Sequence, residues 1–247
     1  MISAWRFTSP CPSAFMSDQP EFRFEITRET VLSGAIRDYI RSADPTAQLQ
    51  TDAEHRAAVM RMLAERPDGG GDVWLFAYGS LIWNPMVEFV ERRVATVRGY
   101  HRRFCLWSHL GRGSAHAPGL ILGLERGGVC RGVAYRIAAA RAQEELELVW
   151  RREMATTVYC PRWVSMPTPE GAGRAIAFVV NRSHPRYAGL LSEAEIAAAI
   201  ARAKGPLGPC AAYLFNTVEH LEALGVPDRR LGRLRDQVRA ALATAPV

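Results

Sequence analysis

Glu153 is the acidic residue of this sequence whose position best suits proton transfer. The segment from Arg141 to Glu153 has helical periodicity, and at about 100° per residue Glu153 shares a face with the apolar Leu146 and Val149. Burial disfavours the charged form of a carboxyl group and raises its pKa, which makes it a better proton acceptor near neutral pH. Glu153 is therefore a candidate general base. The alternative is a structural role, either just beyond the helix end or in a salt bridge with Arg152.

The opposite face of this predicted helix carries charge. Glu144, Glu147 and Arg151 fall together on the helical wheel, where solvated side chains are expected. Leu148 is an apolar exception on that side. The pattern predicts that this helix presents one carboxylate, Glu153, towards the core.

A second candidate site is the turn at Tyr78-Gly79-Ser80, which follows an apolar strand that we expect to run from Val73 to Trp83. A glycine at the end of a strand lets backbone N–H groups approach a ligand closely, and such donors hold a carboxylate or a developing oxyanion. The alternative is an ordinary turn. Serine catalysis at Ser80 is not expected, because the sequence has no GxSxG motif and no defined His/Asp partner set.

The cysteines and histidines give no sign of a metal centre. The five cysteines form no CxxC pair, and the six histidines include no HExxH motif or other close pair at helical ligand spacing. An odd number of widely spaced cysteines is typical of buried thiols in a reducing compartment. We therefore expect no metal and no disulfide framework.

The elements that must position these residues form a strand-rich body followed by helices. Strands are predicted, with Gly127-Gly128 as a turn signal, over Val73 to Trp83, Val87 to Arg98, His101 to Trp107, Gly119 to Glu125, Val129 to Ile137 and Ala175 to Val180. Helices are predicted from Arg141 to Glu153, from a capping box at Ser192 to Glu195 as far as Lys204, and from Ala211 to Leu242 with a break near Gly225 to Pro227. This pattern predicts an α+β fold with a bent or barrel-like sheet.

Residues 1–72 read as a separate N-terminal extension. A helix is predicted from Val31 to Arg41 and a second after the capping box that Thr51 begins, and the Gly-rich linker at residues 67–72 precedes the main domain, residues 73–247, which holds both candidate sites. The first fifteen residues are expected to be a loose tail, and Met1 and Met16 are both candidate start residues.

Charge and composition limit the class of protein. The 247 residues are 48% apolar and 23% charged, without an apolar run long enough to span a bilayer, so neither a disordered chain nor a membrane protein is expected. Residues 1–72 hold 8 basic and 11 acidic side chains, net −3, and residues 73–247 hold 23 and 14, net +9. The basic residues are scattered arginines, Lys204 excepted, so we expect no nucleic-acid partner; their field suits a small anionic substrate.

Several motifs, in this order and spacing, resemble the ChaC-type γ-glutamylcyclotransferases. The resemblance extends from about Val73 to about Leu224. It is carried by YGSLIW at Tyr78 to Trp83, Arg102-Arg103-Phe104, Pro118-Gly119, Leu122-Gly123-Leu124, the block from Gly127 to Arg136, Arg152-Glu153-Met154 and Tyr213-Leu214-Phe215. The joint occurrence of YGSL, GVAYR and RE is far more specific than any one of them.

The resemblance implies a cytoplasmic enzyme that cleaves glutathione into 5-oxoproline and cysteinylglycine without a cofactor. It implies a small mixed fold in which a bent, barrel-like sheet is surrounded by helices. The family's catalytic glutamate matches Glu153, and a second family glutamate matches Glu144, to which the wheel allows at most a supporting role. The loop that surrounds the γ-glutamyl group matches, in this sequence, Leu75, Phe76, Ala77, Tyr78, Gly79 and Ser80.

Two further side chains and two departures accompany the resemblance. Tyr213 is either a pocket hydroxyl or a buried tyrosine with a backbone partner, and Arg136 either faces the glycine carboxylate of the substrate or forms a structural ion pair. Ala77 stands where the family often has glycine, and residues 1–72 have no counterpart in compact members.

Two alternatives remain open: another γ-glutamyl peptide or amine as the substrate, and a non-catalytic module that binds a γ-glutamyl metabolite. Neither the oligomeric state nor the role of the extension follows from the sequence.

Overall fold

The computed structural model describes residues 25–67, 69–168 and 171–244. The predictions for the first fifteen residues and for Met16 lie outside this part of the chain. Within it, no helix has both the length and the apolar character that crossing a membrane requires.

A five-stranded sheet forms the body of the protein. Its strands are β1 (Val73–Ala77), β2 (Glu91–Ser108), β3 (Gly119–Ile137), β4 (Tyr159–Thr168) and β5 (Gly171–Val180), in the spatial order β2-β3-β1-β5-β4. Because β1 is short, β5 pairs in parallel with β1 at Ile176 and then with β3 at Val179, which curls the sheet around the core. The predicted α+β class with a bent, barrel-like sheet is confirmed.

The predicted strands on either side of Gly99 are one strand in the structure, and so are those on either side of Gly127-Gly128. These glycines have φ values of 82°, 99° and 74° and lie opposite one another where the register of β2 and β3 shifts. Positive φ is readily adopted by glycine. The glycines therefore form a bulge inside a long hairpin and do not end the strands.

Two further strand predictions need correction. The strand predicted to reach Trp83 ends at Ala77, because the chain turns at Gly79 into a 3-10 helix, Ser80–Ile82. Strand β4 was not predicted, since Pro161 and Pro167 within it are residues that usually interrupt strands. Its position at the edge of the sheet explains why they are tolerated, because an edge strand has backbone groups that need no ladder partner.

Four helices follow or flank the sheet in residues 142–244: α4 (Ala142–Glu153), α5 (Glu193–Arg202), α6 (Cys210–Ala223) and α7 (Arg229–Thr244). The capping box predicted before α5 is present, with Ser192 and Glu195 each bonding the other's backbone N–H. The predicted break between α6 and α7 is also present, at Gly225, whose φ is 69°.

The extension contributes three helices, α1 (Arg28–Leu32), α2 (Ala35–Ala43) and α3 (Asp52–Ala64). The single helix predicted from Val31 to Arg41 is broken at Gly34, whose φ of 82° is left-handed. The capping box before α3 is present. Both α1 and α3 contact α4, and Leu148, the apolar exception on the outer face of α4, is buried there.

Candidate active site

The turn after β1 approaches Tyr213 so closely that a side chain at Gly79 would crowd the tyrosine hydroxyl. A Cβ added to Gly79 would lie 3.0 Å from the Tyr213 hydroxyl and 3.7 Å from Leu122. Gly79 precedes the 3-10 helix and Ser80 opens it, so their N–H groups have no partner within that helix. The turn thus offers backbone donors beside the hydroxyl of Tyr213.

Glu153 is the last residue of α4, and its side chain is 15% exposed. Burial raises the pKa of its carboxyl group above the ordinary range, and the charge of Arg152 acts in the opposite direction. A carboxylate in this state is a better proton acceptor than an exposed one.

Arg152 connects Glu153 to the turn. Its side chain is 5% exposed, and Nε lies 2.9 Å from Glu153 Oε1. Nη2 donates to Ser80 Oγ at 2.8 Å, and Nη1 donates to the carbonyl of Asn84. The salt bridge that the sequence offered as an alternative to catalysis is therefore present, and the same arginine holds Glu153 against the turn.

Three buried tyrosines lie within electrostatic range of Glu153. Tyr159 donates to the Leu122 carbonyl at 3.1 Å, Tyr213 has a hydrogen bond with the Leu122 backbone, and Tyr78 donates to the Phe178 carbonyl at 2.7 Å. Burial raises the pKa of all three phenols, and the negative charge of Glu153 adds to the rise. The three phenols near Glu153 therefore stay neutral and add no charge to its surroundings.

The first part of the predicted substrate-binding loop belongs to the core. Leu75, Phe76 and Ala77 are fully buried in β1, where their backbones pair with those of Tyr135, Ala134 and Val133 of β3, respectively. Side chains and backbone are both engaged there. Of the predicted loop, Tyr78, Gly79 and Ser80 lie beyond the strand, and the N–H groups of Gly79 and Ser80 have no partner within the 3-10 helix.

Tyr78 is fixed on its backbone side by a buried arginine. Arg102, 3% exposed, donates from Nη1 to the Tyr78 carbonyl at 2.8 Å, and its Nε lies 3.2 Å from Asp228 Oδ2. The loop between α6 and α7 therefore supports the turn.

The structure places Glu144 and Arg136 away from Glu153. Glu144 is 62% exposed on the outer face of α4 and pairs with Arg28 and Arg141. Arg136 forms ion pairs of 2.8 Å with Asp72 and 2.9 Å with Glu91.

The N-terminal extension binds the chain directly after Glu153. Gln50 N–H donates to the Ala155 carbonyl at 3.1 Å, and Nε2 of the buried His55 lies 3.0 Å from the Met154 carbonyl. The side-chain amide of Asn84 donates to the Ile26 carbonyl at 2.7 Å. The carbonyl of Asn84 in turn accepts the hydrogen bond from Arg152. The extension therefore contacts a residue that holds Arg152 in place.

Two residues of the site were not assigned to it from the sequence. Tyr159 follows Glu153 closely, but it lies in the strand that Pro161 obscured. Arg112 belongs to the loop between β2 and β3, and its guanidinium lies 5.6 Å from the centroid of the Tyr213 ring. The nearest sequence signal is the set of glycines around Arg112, which indicates close backbone packing.

The arrangement can move protons beside a set of backbone donors. A buried carboxylate with a raised pKa can act as base and then as acid, and the N–H groups of Gly79 and Ser80 can stabilise a developing oxyanion. The hydroxyl of Ser80 accepts its hydrogen bond from a cation, which does not activate a nucleophile. Among the residues with described positions, no three His, Cys, Asp or Glu side chains are grouped so that they could hold a metal ion.

Comparison with known proteins gives a consistent result. The profile of the ChaC-like protein family matches residues 73–241. A relative from Escherichia coli K12, named glutathione-specific γ-glutamylcyclotransferase, is 44% identical over 216 residues, covering 84% of this chain and 93% of its own. This match exceeds the length of residues 73–247, so it includes part of the extension. A human relative, glutathione-specific γ-glutamylcyclotransferase 1, is 31% identical and covers 71% of this chain and 83% of its own.

The fold is also found among solved structures. The crystal structure of a selenomethionine-labelled γ-glutamyl cyclotransferase specific to glutathione from yeast superposes with a TM-score of 0.64 at 21% identity. The match covers 69% of this chain and 97% of the yeast chain. The predicted fold of the sheet and its surrounding helices is therefore confirmed.

Proposed function

This chain belongs to the ChaC-like family, and we propose that it cleaves the γ-glutamyl bond of glutathione to give 5-oxoproline and cysteinylglycine. The named activity of the E. coli and human relatives supports this substrate. The net charge of +9 on residues 73–247 also suits a substrate that carries two carboxylates.

The reaction is an intramolecular displacement. The α-amine of the γ-glutamyl group attacks its own γ-carbonyl carbon, a new C–N bond closes a five-membered ring, and the bond to the cysteine nitrogen breaks. The departing nitrogen gains as many protons as the attacking nitrogen loses. The two products together contain the atoms of glutathione, so the reaction consumes no water. The protein has to hold the folded conformer of the substrate and transfer the protons.

Glu153 is the group that transfers them in this proposal. Its raised pKa suits it to accept a proton from the attacking amine and to return one to the departing nitrogen. The N–H groups of Gly79 and Ser80 stabilise the oxyanion of the tetrahedral intermediate, a role worth about 3 kcal/mol for a good donor in other enzymes. Tyr213 supplies a neutral hydroxyl beside them. Glu144, exposed on the other face of α4, has no direct part.

The observation that carries the proposal is the bridge through Arg152, which holds the buried carboxylate of Glu153 beside the turn. The experiment is to incubate the purified protein with glutathione and to quantify 5-oxoproline and cysteinylglycine. Glu153→Gln should reduce the rate by about 10² to 10⁴. Glu144→Gln, on the same helix, is the matched control and should keep wild-type activity.

The alternatives have separate outcomes in this experiment. Faster cleavage of other γ-glutamyl peptides or amines than of glutathione would keep the chemistry and change the substrate. Saturable binding of glutathione without any product would favour a non-catalytic binding module. Equal activity of the wild type and Glu153→Gln would overturn the assigned role of Glu153.

The proposal extends to the organisation and surroundings of the protein. Residues 73–247 carry the reacting groups, and residues 1–72 form an extension that supports them through contacts such as that of His55 with Met154. We place the enzyme in the cytoplasm, acting without a cofactor and without a nucleic-acid partner. The scattered distribution of its arginines supports the last point.

A further inference from the structure

Arg112 is a largely buried arginine that lacks a carboxylate partner among the described residues. Its Nη1 donates to the Leu207 carbonyl, and its guanidinium lies over the ring of Tyr213. Burial acts to lower the pKa of Arg112, although an arginine stays protonated in proteins. Its positive charge is therefore held close to Tyr213 without a neutralising anion in this part of the chain.

The two arginines that hold the turn, Arg102 and Arg152, are each paired with an acid, and so are Arg103 and Arg136 elsewhere in the sheet. Arg102 lies 3.2 Å from Asp228, Arg103 2.6 Å from Glu125, Arg136 2.8 Å from Asp72 and Arg152 2.9 Å from Glu153. Buried charges in proteins are as a rule paired, because desolvation of an isolated ion is costly. Arg112 departs from this rule at the edge of the reacting groups, which is what a site for an anionic ligand requires.

The loop that carries Arg112 is rigidly built. A Cβ on Gly113 would lie 2.1 Å from Gly119 N, and one on Gly205 would lie 2.3 Å from Gly111 O. The backbone N–H of Arg112 also donates to Ser108 Oγ at 2.9 Å. The guanidinium is thus held in place before any ligand arrives, which lowers the entropic cost of binding.

Arg186 adds a second positive charge to the same region. Its Nε donates to the Trp107 carbonyl at 2.6 Å, next to Ser108 in β2. Burial lowers the pKa of Arg186, and it acts electrostatically on Tyr159. No carboxylate is paired with Arg186 in residues 25–67, 69–168 and 171–244.

Tyr213 lies between the turn and Arg112. Its hydroxyl lies at the Gly79 turn, and its ring lies under the guanidinium of Arg112. The leaving dipeptide of glutathione extends about 7 Å beyond the scissile bond, at about 3.5 Å per residue. It ends in a carboxylate, which matches a guanidinium in charge and in hydrogen-bonding geometry.

We propose that Arg112 binds the terminal carboxylate of the leaving dipeptide, the glycine carboxylate of glutathione, and thereby selects γ-glutamyl substrates that end in an acid. This inference rests on the proposed function. It assigns to Arg112 the recognition that the sequence had left open for Arg136, whose guanidinium is already neutralised by Asp72 and Glu91.

The test compares glutathione with the analogue whose glycine ends in a carboxamide. In the wild type, loss of the charge-assisted contact should raise KM for the amide by about ten- to a hundredfold, with kcat changed much less. Arg112→Gln should raise KM for glutathione to a similar extent and leave KM for the amide unchanged. Arg112→Lys, which keeps the charge, should restore part of the preference for the acid. Arg233→Gln, at a 58% exposed arginine, is the control and should behave as the wild type.

Equal KM values for the acid and the amide in the wild type would overturn the inference, and this comparison needs no variant to fold. An equal loss for both substrates in Arg112→Gln would also overturn it, because a purely structural arginine affects them alike. Calorimetry on the Glu153→Gln variant compares the affinities for glutathione and for its carboxamide analogue without turnover. Equal affinities for the two would also overturn the role of Arg112. A wild type that forms no 5-oxoproline yet binds the acid more tightly than the amide would refute the proposed function and retain the subsite.

Discussion

Arg152 donates a hydrogen bond from Nη2 to Ser80 Oγ at 2.8 Å and thereby joins the end of α4 to the turn after β1. The same guanidinium pairs with Glu153 through Nε. The proposed base and the proposed oxyanion donors are therefore positioned by one buried side chain. The salt bridge is compatible with the proposed role of Glu153 in proton transfer, because Arg152 holds Glu153 while burial still raises its pKa.

The first prediction concerns the role of Ser80. In Ser80→Ala the turn loses the hydrogen bond from Arg152. If this bond contributes about 1 kcal/mol to stabilising the transition state, the rate should decrease by about tenfold or less. Steady-state formation of 5-oxoproline measures it, with Glu153→Gln assayed beside it for comparison. A loss as large as that of Glu153→Gln would contradict the non-covalent mechanism and point to Ser80 as a nucleophile.

The second prediction concerns the pH dependence of kcat/KM. In the proposed mechanism Glu153 has to be ionised to accept a proton, so we expect the rate to fall as the pH decreases through the pKa of this group. Because burial raises that pKa, the acid limb should lie at higher pH than that of an ordinary glutamate. Arg152→Gln removes a charge that lowers the pKa of Glu153 and should move the limb further upward. A limb at the ordinary glutamate value, or a downward shift in the variant, would refute the assignment.

The third prediction concerns the contact between Gly79 and Tyr213. In Gly79→Ala the new methyl group meets the Tyr213 hydroxyl at 3.0 Å and displaces the turn or the tyrosine, so kcat/KM should fall by at least tenfold. Tyr213→Phe removes the opposing oxygen. The double variant should therefore lose less than the two single losses combined. Full additivity in this cycle of kinetic measurements would mean that the two residues act independently.

The fourth prediction concerns the attachment of the extension. Glu145 is fully buried, and Arg28 binds it bidentately at 2.7 and 2.8 Å. Burial acts to raise the pKa of Glu145, but the hydrogen bonds from Arg28 and from the Glu88 N–H outweigh it and lower the pKa below the ordinary value. Arg28→Ala leaves this buried charge without its main partner and should cost about 3 kcal/mol of unfolding free energy.

The pH dependence of that cost follows from the sign of the shift. A carboxyl group whose pKa is lowered in the folded state contributes stability above its unfolded pKa and loses it as the pH falls through the folded value. The difference between Arg28→Ala and the wild type should therefore be largest near neutral pH and should shrink in acid. Denaturant unfolding at several pH values measures it. Arg41→Ala, which breaks an exposed pair with Asp38, is the control and should cost less than about 0.5 kcal/mol.

Several features of the fold were predictable from local patterns. The capping boxes before α3 and α5 and the break at Gly225 were all expected, because each depends on residues within one turn of chain. The predicted strand boundaries were wrong where a residue type that usually ends a strand occurs inside one. Gly99 forms a bulge within a long strand, and Pro161 lies in an edge strand that has no need of its N–H.

The candidate site was likewise predictable only in its local features. Helical periodicity indicates that Glu153 faces the core, and a glycine after an apolar strand indicates a turn that backbone donors can line. Neither pattern gives the distance between them. The contacts of Arg152 with Ser80 and of Tyr159 with Leu122 join residues 72 and 37 positions apart, so no local rule predicts them.

The sequence by itself thus determined which residues we propose as the reacting groups, because motif spacing and the 3.6-residue period are local properties of the chain. The tertiary structure decided which of these groups meet. It buried Glu153 beside Ser80 through Arg152, neutralised Arg136 and left Arg112 without a carboxylate next to Tyr213. The physical reason is that burial and pairing depend on which distant segments the curled sheet brings together, and these set the pKa of Glu153 and the position of the unpaired charge of Arg112.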